Sequence, residues 1–457
     1  MDYFLIIFVL LVTPVWAIDG NKKLDLNRPL TYQERVSGML WCSAIADALG
    51  GPFEGRKTVV SQKFLEEGHW ISELKPYNRW FQNYWNVYPR EAVAGTYTDD
   101  NRMRLLIAQS MIVQYQQHPE QLLSQTDLAS VLFDQYRDAR KEYEKLEGLW
   151  QSATAAEKES LKEPRKEKFL HTWFSWELAK TATSVFIPEN PPLLSPGHQY
   201  TKILNSEGAH IGEWDMTPVP TFTVTADIKS SYHFDCYARG EEMPLGQIAL
   251  LPLAAYFPGD PAAAFQYALE INFLDIAGAP LYPAVMIAIL ADVLGGTDWD
   301  IIREQLQEPK LIEYVQYSGS LNLRRIQSSI HRALTIGSQF QDLRREFSID
   351  RYIQFVKTLH GQFADGEDMM CHVDEMLGVT IALVDISPPD INLALEMAVN
   401  YGRDNDTVGS MVGCFLGAQL GDTQLKPGWR TAVELANLEF DIQTQAMGLS
   451  KMQTIGK

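Results

Sequence analysis

Apolar residues recur every three or four positions along most of this chain, which is the spacing of a helix that buries one face. Strand-like alternation of polar and apolar residues is scarce, and its clearest example, residues 217–230, predicts a hairpin or an extended loop. The pattern therefore predicts an all-α protein. The predicted helices cover residues 35–49, 102–117, 121–145, 262–274, 282–294, 349–360, 391–401 and 408–420.

The sequence changes character between about residue 140 and residue 245. A highly charged segment, Lys141 to Lys168, predicts a solvated helix, and a proline-rich turn region at 187–192 follows it. We interpret residues 140–245 as an insertion into a single domain that covers residues 31–447. The 457 residues would allow up to three domains of about 150 residues each, but the acidic clusters described below lie near opposite ends of the chain and need one another.

Residues 1–17 have the features of a secretory signal peptide. An apolar run from Tyr3 to Ala17 ends in small residues at the positions that a signal peptidase reads, although Asp2 stands where a basic residue is usual. The run is shorter than the roughly 20 residues that span a membrane, and a polar linker, residues 18–30, follows it. The sequence therefore predicts a secreted or periplasmic protein with no membrane span after cleavage.

The acidic composition excludes one class of partner. A net charge of −19 repels a phosphate backbone, and no basic stripe offsets it, so we expect no nucleic-acid partner. The hydrophobic share of 46% is enough for a large core. The sequence leaves the number of subunits open.

The four cysteines lie far apart, and none has the spacing of a zinc site. Cys42 and Cys414 fall in apolar helical patterns, where a free cysteine is usually a small core residue. An oxidising compartment would allow a disulfide between Cys236 and Cys371, and the sequence leaves that pairing open.

Two acidic clusters carry the candidate chemistry. One is Thr98-Asp99-Asp100, the other is Asp404-Asn405-Asp406-Thr407, and each leads directly into an apolar helix. Together they would form a cage of hard oxygen ligands for one or two divalent cations. Taken singly, each is more simply explained as a helix cap, because Thr, Asp and Asn bind the unpaired N–H groups of a first turn.

Stripes of small residues predict how the two clusters could meet. Small residues recur at four-residue steps in two of the predicted helices, at Gly38, Cys42 and Ala46 and at Gly409, Gly413, Gly417 and Gly421. Close packing of these helices would bring Asp404 and Asp406 toward Asp99 and Asp100. A cation would be needed there, because several carboxylates a few ångströms apart repel one another.

Two further carboxylates belong to the first of these helices and the turn after it. Asp47 interrupts the apolar run, and Glu54 follows the Gly50-Gly51-Pro52 turn. A carboxylate in such a run must be paired, hydrogen-bonded or bound to a metal, because burial of the free charge is costly. For Asp47 the sequence leaves a structural and a functional role equally open.

Three segments resemble, in family order, the motifs of the ADP-ribosylglycohydrolases. They read 46-ADALGGPFEG-55, 98-TDD-100 and 402-GRDNDTVGSMVGCFLGAQLG-421. Together they span nearly the whole chain after the signal peptide. Their combination is much more specific than any one of them.

The resemblance implies a compact all-α domain with a binuclear Mg²⁺ or Mn²⁺ site at the base of a cleft. It implies a glycosyl hydrolase that cleaves an N- or O-glycosidic bond at ribose, in a small-molecule or protein-linked ADP-ribosyl conjugate or a related ribosyl or glycosyl substrate. Glu54 matches a family glutamate with a ligand or catalytic role, and is the candidate general acid or base. The metal ligands that the resemblance implies are Thr98, Asp99, Asp100, Asp404, Asp406 and Thr407.

The chain also departs from the family pattern. Arg403 replaces a glycine, Asn405 replaces a threonine, and the central stretch 244–261 lacks the arginine of the family's diphosphate loop. Leu274-Asp275 stands in place of a Thr-His pair. Two alternatives therefore stay open: a catalytically silent relative that binds a nucleotide sugar or a protein partner, and an extracellular structural protein stabilised by Ca²⁺.

Overall fold

Two helices that are buried along almost their whole length, α1 (Tyr32–Gly50) and α14 (Asn405–Leu420), lie at the centre of the protein. The structure is a computed structural model, and it describes residues 28–77, 92–181, 200–204, 210–215, 244–272, 274–275, 280–307, 321–364 and 371–453.

The other described helices surround this pair and share one continuous hydrophobic core, which runs from Val36 to Met452. The prediction of an all-α, single-domain protein is confirmed. Short 3₁₀ turns cover Gly51–Phe53, Leu251–Tyr256 and Gln341–Arg344. The α-helices are α2 (Thr58–Glu66), α3 (Asp99–Gln117), α4 (Gln125–Ser152), α5 (Ala155–Thr181), α6 (Leu245–Ala249), α7 (Pro261–Ile271), α8 (Leu281–Gly295), α9 (Trp299–Gln307), α10 (Leu321–Gln339), α11 (Ile349–Phe363), α12 (Val373–Ile386), α13 (Ile391–Val399), α15 (Pro427–Ala436) and α16 (Ile442–Leu449).

A small hairpin interrupts this helical pattern. Strands β1 (Tyr200–Leu204) and β2 (His210–Asp215) pair antiparallel, with Tyr200 opposite Asp215. The hairpin or loop predicted at 217–230 lies outside the described residues, as do the predicted signal peptide and Cys236. Within the described part of the chain, no helix is both long enough and apolar enough to cross a bilayer.

The prediction of one charged helix from Lys141 to Lys168 is wrong. Helix α4 ends at Ser152 and α5 begins at Ala155, with Ala153 and Thr154 between them. The Thr154 hydroxyl and backbone N–H both donate to the Glu157 carboxylate, at 2.7 and 2.8 Å. The Glu157 N–H in turn donates to the Thr154 hydroxyl at 3.4 Å, which completes a capping box and begins a new helix. Each of the eight periodic segments named above falls on an observed helix, but three of the predicted bounds are too long. The helix predicted from residue 121 begins only at Gln125, and those predicted to end at 274 and 401 end at Ile271 and Val399.

The α1–α14 pair is close because neither helix carries a large side chain at the contact. A Cβ atom added to Gly413 would lie 2.5 Å from the Cys42 carbonyl oxygen, and one added to Gly50 would lie 2.5 Å from the Asp406 Cα. Cys42 and Cys414 are fully buried, as predicted. The contact with Gly50 places the end of α1, which is followed by Glu54, against the acidic start of α14.

Candidate metal centre

The predicted carboxylates stand at the ends of three buried helices. Glu54 follows the 3₁₀ turn at the end of α1, Asp99 and Asp100 open α3, and Asp404 and Asp406 lie at the start of α14. All three helix ends belong to the central packing of the fold. The acids are therefore held by rigid elements rather than by long loops.

The structure brings these helix ends together. Carboxylate oxygens of Glu54, Asp404 and Asp406 lie within 4.8 Å of one another. The Thr407 hydroxyl oxygen lies 2.9 Å from an Asp100 carboxylate oxygen and 3.0 Å from one of Asp404. A hydroxyl has one proton, so it can donate to only one of these two carboxylates at a time. The hydroxyl oxygen therefore lies close to the second carboxylate without a hydrogen bond between them.

Capping does not explain the two clusters. Thr98 and Asp404 occupy the N-cap positions of α3 and α14, yet neither side chain accepts a backbone N–H from the first turn of its own helix. The Thr98 hydroxyl instead lies 3.4 Å from Asp100. These oxygens are directed at one another, which is how ligands of a shared cation are arranged.

Asp47 performs the capping of α3 from the neighbouring helix. Its carboxylate accepts the backbone N–H of Thr98 at 2.7 Å and that of Asn101 at 2.9 Å. The role that the sequence left open is therefore structural, because Asp47 ties the last turn of α1 to the first turn of α3. Only the spatial neighbourhood reveals this role, since Asp47 and its partners are far apart in sequence.

Burial raises the pKa of every acid of the cluster, and like charge adds to that effect for all of them except Asp100. Burial, reinforced by the charge of Asp100, raises the pKa of Asp47 to about 7 and that of Asp404 to about 8. Burial also raises the pKa of Asp100. Burial first and neighbouring carboxylates second raise the pKa of Glu54, Asp99 and Asp406. The cluster therefore favours either protons or a compensating positive charge.

The residues present fit a divalent cation. Oδ1 of Asp406 is buried and has no hydrogen-bond partner within the described part of the chain. An unsatisfied buried carboxylate oxygen is costly, and a metal ion would satisfy it. The donors around it are carboxylate and hydroxyl oxygens, which suit Mg²⁺, Mn²⁺ and Ca²⁺.

The two departures within the last motif have structural roles. Arg403 has a backbone φ of 58° and forms a buried ion pair with Glu375 of α12. The Asn405 amide donates to the carbonyl oxygen of Val399 at 2.9 Å. Glu375 was not among the predicted residues, although a glutamate in the apolar stretch 373–386 is the same signal that singled out Asp47.

The departure in the central region also has a physical consequence. The Asp275 carboxylate accepts the backbone N–H of Gly246 at 2.9 Å and the Asn272 side-chain amide at 2.8 Å. Burial raises the pKa of Asp275 to about 6. The backbone N–H of Gly246, near the start of the central stretch, is therefore already hydrogen-bonded to a carboxylate of this chain.

The raised pKa values predict how added metal stabilises the protein at different pH. A carboxyl whose pKa is raised on folding favours the folded state fully below its unfolded pKa, near 4, and loses that contribution as pH rises through its folded pKa. For Asp47 and Asp404 this stabilising contribution is lost between about pH 4 and the folded pKa values of about 7 and about 8. A bound cation offsets it by replacing the protons.

We therefore expect the rise in Tm between EDTA-treated and Mg²⁺-saturated protein to be small at pH 5 and largest at pH 8. At 100 times the dissociation constant the added stability would be about 2.7 kcal/mol. Thermal melting at each pH, with and without Mg²⁺, gives the comparison. A rise that is equal at pH 5 and pH 8 would contradict this account of the cluster.

Comparisons with known proteins agree with the sequence motifs. The family model described as ADP-ribosylglycohydrolase matches residues 28–453. A solved structure titled "ADP-ribosylglycohydrolase-related protein complex" is similar, with a TM-score of 0.50 and 14% sequence identity, over 93% of this chain and 99% of that chain. At that identity the likeness shows the fold alone. No curated protein matches the chain.

Proposed function

This chain belongs to the ADP-ribosylglycohydrolase family, and on that premise we propose that it is a metal-dependent hydrolase of ribosyl bonds. The bond would be an N- or O-glycosidic bond at the anomeric carbon of ribose, in an ADP-ribosyl conjugate or a related ribosyl or glycosyl substrate. The observation that carries the proposal is the convergence of acids from both ends of the chain around the unsatisfied Oδ1 of Asp406.

The proposed ligands would hold two Mg²⁺ or Mn²⁺ ions. When bound, such ions act as Lewis acids that orient the ribose hydroxyls and lower the pKa of water. The neighbours of the ligands are already fixed, because Asp47 anchors the first turn of α3. The ligands are Thr98, Asp99, Asp100, Asp404, Asp406 and Thr407.

Glu54 is the proposed general acid or base. Its carboxylate belongs to the same group as Asp404 and Asp406, within 4.8 Å, but its side chain is partly exposed where Asp406 is buried. Its carboxylate can therefore lie beside the proposed metal ligands and also contact a bound substrate. Cleavage at an anomeric carbon passes through an oxocarbenium-like state, and a carboxyl beside it can give a proton to the leaving group or take one from water.

A catalytically silent relative is the second candidate, and Asp275 favours it. Its carboxylate already accepts the Gly246 N–H, and a negative charge there opposes the binding of a diphosphate at the same amide. The Ca²⁺-stabilised structural protein is the third candidate, because the same oxygen ligands suit Ca²⁺.

One experiment separates the three candidates. EDTA-treated protein is titrated with Mg²⁺, Mn²⁺ or Ca²⁺ and followed by thermal melting, by binding of ADP-ribose, and by hydrolysis of ADP-ribosylated arginine, ADP-ribosylated serine and small ribosides. The hydrolase proposal predicts turnover that EDTA abolishes and Mg²⁺ or Mn²⁺ restores. Binding without turnover indicates the silent relative, and stabilisation without either indicates the structural protein.

We also propose that the protein is exported and that residues 1–17 are removed. The apolar run and the small residues at its end support this proposal. N-terminal sequencing of protein from the culture medium or periplasm tests it, and a chain that still begins at Met1 would contradict cleavage.

A further inference from the structure

Arg403 lies directly before Asp404 and has the backbone conformation of a glycine. Its φ is 58°, and it is the one residue other than glycine with positive φ within the described part of the chain. An L-residue avoids this left-handed region because its Cβ approaches the following carbonyl. Such a conformation persists only where the surroundings hold it firmly.

The hydrogen bonds and the ion pair of the Arg403 side chain fix much of this conformation. Its Nε donates to Glu375 Oε1 at 2.6 Å and its Nη2 to Oε2 at 3.0 Å, which is a two-pronged pair with both side chains fully buried. Its Nη1 donates to the Thr58 hydroxyl of α2 at 2.8 Å. The Tyr401 hydroxyl donates to the same Glu375 carboxylate at 2.8 Å. The guanidinium therefore joins the start of α14 to α2 and α12.

The backbone of Arg403 extends these links to the turn that carries Glu54. Its carbonyl oxygen accepts the N–H of Gly55, the residue after Glu54, at 2.9 Å. Its own N–H donates to the Ser61 hydroxyl of α2 at 3.2 Å. One residue thus contacts the chain beside Glu54 on one side and continues into Asp404 on the other.

The charge of Arg403 is also accounted for. The guanidinium is neutralised by a bidentate ion pair with Glu375. Glu375 is not one of the proposed metal ligands. Arg403 can therefore stand beside the acids without taking the place of a cation. A lysine could match the charge but not the planar two-pronged geometry.

We propose that Arg403 is a positioning residue that sets the separation between Glu54 and the acids of α14, through its ion pair with Glu375. The inference rests on the proposed cation site. It differs from a purely stabilising role because it requires the ion pair to control how tightly the site binds metal. A stabilising pair elsewhere in the fold would change only the melting temperature.

The decisive variant removes the pair without leaving strain or an isolated charge. Arg403→Gly permits the φ of 58°, and Glu375→Gln keeps an acceptor for Tyr401, so the double variant contains neither an unpaired buried carboxylate nor a strained arginine backbone. The matched control is Arg303→Met with Asp385→Asn. That pair, with Nε 2.8 Å from Oδ1, joins α9 to the far end of α12, and among the described residues it makes no hydrogen bond or ion pair with Glu54 or Asp404.

Isothermal titration with Mn²⁺ well below Tm, on EDTA-treated full-length protein, gives the affinity, and thermal melting gives stability. We expect Mn²⁺ to bind the Arg403→Gly, Glu375→Gln variant about 10–100-fold more weakly than wild type, which is the usual effect of losing a residue that orients metal ligands. The Arg303→Met, Asp385→Asn control should melt at a different temperature but bind Mn²⁺ like wild type.

Arg403→Lys carries the test if the double variant does not fold. It keeps the charge, and we expect Mn²⁺ affinity between those of wild type and the double variant, on the order of 10-fold weaker than wild type. Wild-type Mn²⁺ affinity in a folded Arg403 variant would overturn the positioning role and leave the cation site standing. A wild-type protein that binds no Mn²⁺ would overturn the cation site and this inference together.

Discussion

Replacing Glu54 by glutamine is expected to lower kcat by about 10²–10⁴-fold at saturating Mn²⁺, which is the usual contribution of a general acid or base. Glutamine has almost the same shape and keeps one oxygen beside Asp404 and Asp406, but it cannot exchange a proton. The loss should therefore appear in turnover of whichever ADP-ribosylated substrate the wild type hydrolyses, with Mn²⁺ still bound.

Glu147→Gln is the matched control for this prediction. Glu147 is a more buried glutamate than Glu54, and its carboxylate accepts hydrogen bonds from Tyr143, Gln151 and Arg165, on the α4–α5 pair. We expect this variant to lose some stability and to keep wild-type kcat. If Glu54→Gln also kept full turnover with metal bound, Glu54 would not be the acid or base.

The largest effect on stability is expected at the contact between α1 and α14. Gly413→Ala would place a Cβ 2.5 Å from the carbonyl oxygen of Cys42, and backbone on the opposite helix cannot turn aside as a side chain can. We expect a loss of about 3 kcal/mol in the free energy of unfolding, at the upper end of the usual cost of overpacking. Chemical denaturation of both proteins measures it.

The same substitution at Gly148 should not destabilise the protein. Gly148 lies inside α4, and a Cβ there meets nothing within 4 Å. Alanine is the better helix former by up to about 1 kcal/mol, so Gly148→Ala should be neutral or stabilising. A Gly413→Ala protein as stable as Gly148→Ala would show that α1 and α14 are not packed backbone to backbone.

These two regions also show what the sequence could predict. The four-residue steps of small residues in α1 and α14 are a local pattern with one physical meaning, close helix packing, and the structure confirms it. The acidic motifs at the helix starts were recognisable because they too are local patterns of a few residues. Their proximity follows from the packing, which is why acids so far apart in sequence could be expected to meet.

Local signals were missed where two patterns competed. The run of charges from Lys141 to Lys168 favoured one long helix, but Thr154 and Glu157 have the spacing of a capping box and mark the start of a second helix. Helix α12, which is buried on almost every side, was not predicted.

Other features depend on contacts that no local pattern contains. Arg403 stands where the family pattern has glycine, and its left-handed backbone is held by partners on other elements, Glu375 and Ser61 among them. The role of Asp47 depends likewise on the distant N–H groups of Thr98 and Asn101. Sequence identifies such residues as unusual, while their partners are found only in the folded chain.

The most direct test of the account is whether one cation site needs acids from both ends of the chain. Isothermal titration of Mn²⁺ into EDTA-treated protein would compare wild type with Asp100→Asn and with Asp406→Asn. The account predicts binding to wild type and a loss of affinity of at least about 10-fold in each variant. Wild-type affinity in either variant, or no Mn²⁺ binding by wild type, would contradict it.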